Sequence, residues 1–247
     1  MPVASVPYLT RRGFASTHWT TVRACAGNDS FAQEAREEIC RDYWYPTYAY
    51  IKRLGHPSHD AAELTQDFFA YILGREWFAH ADSTRGKFRS FLLASLHNFL
   101  HDDSDRKKRW KRQGAYQHVP LDLENAASRY AQSEASHTHD PGKLYEVEWA
   151  STIVAVSLER LEQEHATTDK YLQYQELGKF LMTEGDASRY EAAAIALGIS
   201  AANVKVLVHR LRQRYKAILR EQVARTVATP GDVEEEMRHL RSVLASS

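Results

Sequence analysis

Between Ser200 and Arg210 the sequence sets small, polar and basic residues against an apolar stripe with helical spacing. At about 100° per residue, Val204, Leu207, Val208, Leu211 and Tyr215 fall on one side of an expected helix. Ala202, Asn203, Lys205, Val206, His209 and Arg210 fall on the other side, with Ser200 just ahead as its expected cap. Such a face suits contact with duplex nucleic acid. Short side chains in the first two turns can approach base edges, Val206 can meet a thymine methyl, and cations can hold phosphates. His209 has no second metal ligand at i+3 or i+4, which favours a groove or phosphate contact over a metal site.

Motifs for other chemistry are missing from the sequence. It has no phosphate-binding Gly-rich loop, no H-E-x-x-H, no G-x-S-x-G and no Cys/His zinc spacing. His137 and His139 sit in a polar stretch and are poor metal candidates. No catalytic residue, no metal and no cofactor is therefore expected, and an enzyme acting on nucleic acid is the least supported reading.

The formal net charge is +0, yet the charge is unevenly distributed. Residues 85–114 carry nine Lys/Arg against three Asp, and residues 200–225 carry seven against Glu221, each segment net +6. Two basic segments on an acidic background suggest two phosphate-facing surfaces. The two cysteines, Cys25 and Cys40, are too few for a disulfide framework. No apolar run approaches the length of a membrane span, and residues 1–16 lack the apolar centre of a secretory signal. A soluble cytoplasmic protein without a membrane partner is expected.

Helices must position these residues. Ser188-x-x-Glu191 has capping-box spacing ahead of a short helix that stops at Gly198, and the basic helix starts three residues later. Further upstream, one helix ends at Gly55 and another runs from about Ser58 to Leu73. On the latter, Asp60, Glu63, Gln66 and Asp67 lie opposite the stripe Leu64, Phe68, Tyr71 and Ile72. From Phe88, residues Phe91, Leu92, Ser95, Leu96, Phe99 and Leu100 continue a stripe that leads into a basic run ending near Arg112. Residues 113–142 show little apolar periodicity and read as a linker, and 232–244 as a last helix behind Pro230 and Gly231. The expected fold is all-α: two small helical domains joined by a linker, the C-terminal one a helix-turn-helix. The expected divisions are an extension at 1–34, a first domain at 35–113, a linker at 114–143, the helix-turn-helix domain at 144–225 and a tail at 226–247.

Three blocks in this order resemble the sigma factors of bacterial RNA polymerase, in particular the compact extracytoplasmic-function group. They are DAAELTQDFFAYIL at 60–73, FRSFLLASLHNFLHDDSDRKKRW at 88–110 and SRYEAAAIALGISAANVKVLVHRLRQRYKAIL at 188–219. The resemblance covers about Ala35 to Gln113 and Ser151 to Val223. Phe91 stands where the family has Trp, and the turn after Ser200 reads AAN rather than EGT. The resemblance implies that Asp60, Glu63, Gln66 and Asp67 dock the β′ clamp helices of core RNA polymerase. It implies that Asn98, His101, Asp105, Arg106 and Arg109 hold the melted minus-ten strand of promoter DNA. The helix after Ser200 would then read a minus-thirty-five element. An anti-sigma factor or a regulatory kinase is the implied controlling partner. A stand-alone helix-turn-helix regulator with a helical sensor domain is the alternative.

Overall fold

The computed structural model describes residues 25, 27, 30–73, 87–101, 123–133, 140–166, 171–183, 185–227 and 229–246. These residues are all-α, with no strand among them. The helices are α1 (Ser30–Arg53), α2 (Ser58–Ile72), α3 (Phe88–His101), α4 (Leu123–Ser133), α5 (Pro141–Ala166), α6 (Tyr171–Gly178), α7 (Ala187–Leu197), α8 (Ala201–Thr226) and α9 (Val233–Ala245). Among the described residues, no single helix is long and apolar enough to cross a membrane.

The central element is α1. From Asp42 to Ile51 every residue of it is buried, so this stretch has no solvent face. Helix α5 packs along it, with α2 and α3 against other parts of its surface. Pro46 sits inside α1 and has no N–H to offer the carbonyl one turn back. Thr47 compensates in part, its hydroxyl donating to the Tyr43 carbonyl at 2.8 Å. Aromatic rings fill the surrounding space: Tyr43 meets Phe88 edge-on at 5.3 Å between centroids, and Trp44 stacks on Tyr48.

The expected helix boundaries hold for α2, which stops at Ile72, and for the start of α3 at Phe88; the expected continuation of α3 to Trp110 lies outside the described residues. Phe88, Leu92 and Leu96 are buried, with Phe91, Phe99 and Leu100 packed beside them. Gly55, at φ +97°, makes the turn after α1 that the sequence predicts.

Two buried clusters exist, but α5 and α8 run through both of them. Helix α5 gives Tyr145, Trp149 and Ile153 to the first cluster and Leu161 to the second. Helix α8 gives Val204, Val208, Leu211 and Ile218 to the second and Val223 to the first. At 1.5 Å per residue, each 26-residue helix is about 39 Å long, more than one small core can cover. The stretch expected as a linker contains α4, whose Ala126 and Tyr130 are buried in the first cluster. Cys25 in the expected extension and Val227, Val233, Met237 and Leu240 in the expected tail belong to that cluster as well. Burial pushes the thiols of Cys25 and Cys40 up to about 12, so both are chemically quiet.

Candidate nucleic-acid interface

Asp186, not Ser188, caps α7. Its carboxylate accepts the Arg189 N–H at 2.9 Å, while the Ser188 hydroxyl donates to the same oxygen. A carboxylate at the positive end of a helix makes the stronger cap, and this moves the start of the helix ahead of the S-x-x-E register. The backbone and hydroxyl hydrogen bonds hold the Asp186 carboxyl below the usual carboxylate range.

Gly198 ends α7 at φ +65°, a left-handed conformation that costs an L side chain strain. The N–H groups of Gly198 and Ile199 bond the carbonyls of Ile195 and Ala194. Ser200 then caps α8 as expected, its hydroxyl accepting the Asn203 N–H at 3.2 Å. The two helices meet at 96°, within the range of a helix-turn-helix. Ala193 and Ala194 are buried at the contact with Val204, where small side chains allow the close crossing.

Helix α8 turns the expected faces inward and outward. Val204, Val208 and Leu211 are buried, with Leu207 and Tyr215 packed against them. Ala202, Asn203, Lys205, Val206, His209 and Arg210 are all exposed. Val206 is 49% exposed, an apolar side chain at the surface of α8. Lys205 lies over the Tyr190 ring with its ammonium 5.4 Å from the centroid, and Tyr190 stacks on Phe180 at 4.8 Å.

Not every cation of the basic helix faces outward. The Arg212 guanidinium donates to the Phe180 carbonyl at 2.7 and 3.0 Å and to the Thr183 carbonyl at 2.9 Å, tying the loop after α6 to α8. Arg214 pairs with Glu164 on α5 at 2.7 Å and with Glu221 at 3.6 Å. Its hydrogen bond holds the Glu164 carboxyl below the usual range. Arg220 pairs with Glu234 and Arg225 with Glu38. Burial lowers the pKa of Arg225. Among the described residues, Lys205, Arg210 and Lys216 are the α8 cations held by neither a carboxylate nor a backbone carbonyl. The net +6 of the segment therefore overstates what it can offer to phosphates.

The second expected surface is seen in part. Asn98 and His101 are exposed on α3, and the His101 ring lies tilted against that of His97 at 4.4 Å between centroids. Asn98 borders an open groove of about 550 Å³ that Tyr50, Ser90, His97 and Asp140 also line. Asp105, Arg106 and Arg109 lie outside the described residues, as do Trp110, His137 and His139. On α2, Asp60 and Glu63 are exposed, Gln66 and Asp67 half-buried, and the opposite side (Leu64, Phe68, Ile72) is in the core. His59 approaches Glu63 at 3.4 Å. Among the described residues, no three His, Cys, Asp or Glu side chains stand close enough to hold a metal ion.

Three features of the interface escape sequence reading: the Arg212 clasp, the Phe180–Tyr190 stack under Lys205, and the close approach at Gly185. A Cβ on Gly185 would stand 2.5 Å from Phe180 Cε1 and 3.1 Å from Tyr190 Cε2. The Gly before the capping Asp186 was the available signal, since a ring can lie against a backbone only where no Cβ intervenes.

No family model, no curated protein and no solved structure matches this chain. Function must be argued from its own residues.

Proposed function

We propose that this protein is a sigma-type initiation factor that binds core RNA polymerase and directs promoter-specific transcription. The observation that carries the reading is the exposed face of α8, with Asn203, Lys205, Val206, His209 and Arg210 beyond a 96° turn. Such a face fits a recognition helix in the major groove, reading a minus-thirty-five element. The resemblance of the α2 and α3 sequences extends this from DNA binding to initiation. Asp60, Glu63, Gln66 and Asp67 would meet the β′ clamp helices of the polymerase. Asn98 and His101, with Asp105, Arg106 and Arg109 further on, would hold the opened minus-ten strand through base contacts and backbone charge. In this role the protein has no catalysis of its own, works in the cytoplasm, and is open to control by an anti-sigma factor or a kinase.

One observation favours a second reading, a stand-alone helix-turn-helix regulator. Because α5 and α8 run through both clusters, the DNA-reading unit is continuous with the first core, as in a sensor joined to its reader. Run-off transcription with purified core polymerase separates the two. Under the first reading the protein gives promoter-specific transcripts, and Lys205→Ala or Arg210→Ala reduces them without weakening polymerase binding. Absence of promoter-specific initiation favours the regulator.

A further inference from the structure

Three consecutive carboxylates at the start of α9 reach both basic segments of the chain. Glu234 pairs with Arg220 of the 200–225 segment. Glu235 approaches Lys87 of the 85–114 segment at 3.5 Å. Glu236 pairs with Lys87 at 2.8 Å and with Arg89. These pairs differ in exposure. Glu236 is fully buried and Arg89 nearly so, whereas the side chains of Glu234 and Glu235 are each 64% exposed. The hydrogen bond from Arg220 holds the Glu234 carboxyl below its usual range, which keeps it anionic. The inner pair, with the apolar contacts of Val233, Met237 and Leu240, anchors the helix. The outer pairs lie at the surface, where ions and phosphates compete for the cations.

We propose that this Glu234–Glu235–Glu236 triplet is an internal stand-in for nucleic-acid phosphate, bridging the two basic segments and closing the protein on itself until DNA displaces the outer pairs. The proposal rests on the reading of those segments as DNA-facing. It gives α9 a task that neither basic segment performs alone. The helix lowers non-specific binding in the free protein, because Lys87 and Arg220 must leave their carboxylates before they meet a phosphate. A promoter site that also engages the exposed α8 face overcomes that competition.

The full-length chain provides the test, with Glu234→Gln/Glu235→Gln as the variant because both side chains are exposed and the buried anchor stays intact. A control with the same charge change, Glu34→Gln/Glu37→Gln on α1, accounts for net charge. Duplex binding is followed by fluorescence anisotropy at low salt, and hydrogen exchange across α9 with and without DNA. Freeing Arg220 and loosening Lys87, which keeps Glu236 at 2.8 Å, should tighten non-specific binding at least about twofold over the control variant. DNA should speed exchange in α9 of the unaltered protein. Binding no tighter than the control, or α9 protection unmoved by DNA, overturns the proposal. If no variant binds DNA, the proposed function fails, and exchange without DNA still decides the bridge. Faster exchange in α9 and at the start of α3 of the Gln variant supports it, and unchanged exchange removes it.

Discussion

Arg89 and Glu236 are 147 residues apart in the chain and form a buried ion pair between the start of α3 and α9. Arg89 is 3% exposed and Glu236 fully buried. The Arg89 Nε also donates to Glu146 of α5 at 2.8 Å, and its guanidinium lies 4.3 Å from the centre of the Trp149 ring. His239 of α9 contacts the same Glu146 oxygen at 2.8 Å. One cation thus joins three helices. Removing a single partner leaves a buried charge without compensation, so Glu236→Ala should cost about 3–5 kcal/mol of stability in urea unfolding. Replacing both partners, as in Arg89→Met/Glu236→Leu, should cost clearly less than Glu236→Ala alone. A double variant at least as unstable as the single one would show that apolar contacts, not charge, hold α9 in place.

Asp42 supplies a pH signature. Burial pushes its carboxyl up to about 6, against the opposing effect of Arg41, whose Nε donates to it at 3.1 Å. The folded value lies above the unfolded one of about 3.9, so the folded state holds a proton that the unfolded state releases. The stability this gives is fully present below about pH 4 and is lost as pH rises through 6. Asp42→Asn has no ionisation to suppress. Relative to the unaltered protein it should gain stability between pH 4 and 6 and level off on the order of 2 kcal/mol better at pH 7. Urea midpoints at pH 4 and pH 7.5 test this, and an equal offset at both would remove Asp42 as the titrating group.

These two sites mark the limit of what the sequence discloses. Periodicity exposes whatever one helix does by itself, and so it gives the α2 stripe, the α3 stripe and both faces of α8. It is blind to pairings between distant segments. Arg89 and Glu236 each read as ordinary charges on basic or acidic helices, and only the fold brings them together in the core. The same blindness turned α4 into part of a linker. Its burial depends on Tyr130, set edge-on to Tyr48, and on Arg129, whose guanidinium lies 3.7 Å from the centre of the Tyr45 ring. A Tyr and an Arg in a polar stretch give no apolar period. Aromatic contact and cation–π attraction do the docking, and neither has a repeat to detect. At α7 the helix is legible but its cap is misplaced, because Asp186 and Ser188 are both good capping residues within reach of the same turn.

The internal pairing of α8 has a measurable electrostatic consequence. Each phosphate contact contributes close to one unit to the dependence of log affinity on log salt. Lys205→Ala and Arg210→Ala should each reduce that slope by about 1 in anisotropy titrations against a duplex. Arg212→Ala should leave the slope unchanged, because its guanidinium is held by the carbonyls of Phe180 and Thr183. It should instead lower stability by about 2 kcal/mol, the scale for charged hydrogen bonds to half-buried carbonyls. If Arg212→Ala reduces the slope as much as Lys205→Ala does, the division into outward and inward cations is wrong.

Gly185 links packing to the exposed side chains of α8. A methyl group there would press on Phe180, with Cε1 at 2.5 Å and Cδ1 at 2.7 Å, and would crowd Tyr190. Phe180 is buried and stacked on Tyr190, so it has little room to yield. Any shift of the stack moves the ring under Lys205 and the Phe180 carbonyl that Arg212 grips. Gly185→Ala should therefore destabilise the protein by about 1–3 kcal/mol, the usual range for overpacking a filled site. It should also weaken duplex binding while leaving the salt slope unchanged, since no cation is removed. Gly198→Ala makes an instructive comparison. No atom lies within 4 Å of a Cβ there, so its cost comes from the left-handed backbone alone, about 1–2 kcal/mol. Pairing each Ala variant with Phe180→Leu, a smaller side chain, tells the two mechanisms apart. That second substitution should recover part of the loss at Gly185 and none at Gly198. Equal recovery at both positions would mean that steric pressure on Phe180 is not what makes Gly185 necessary.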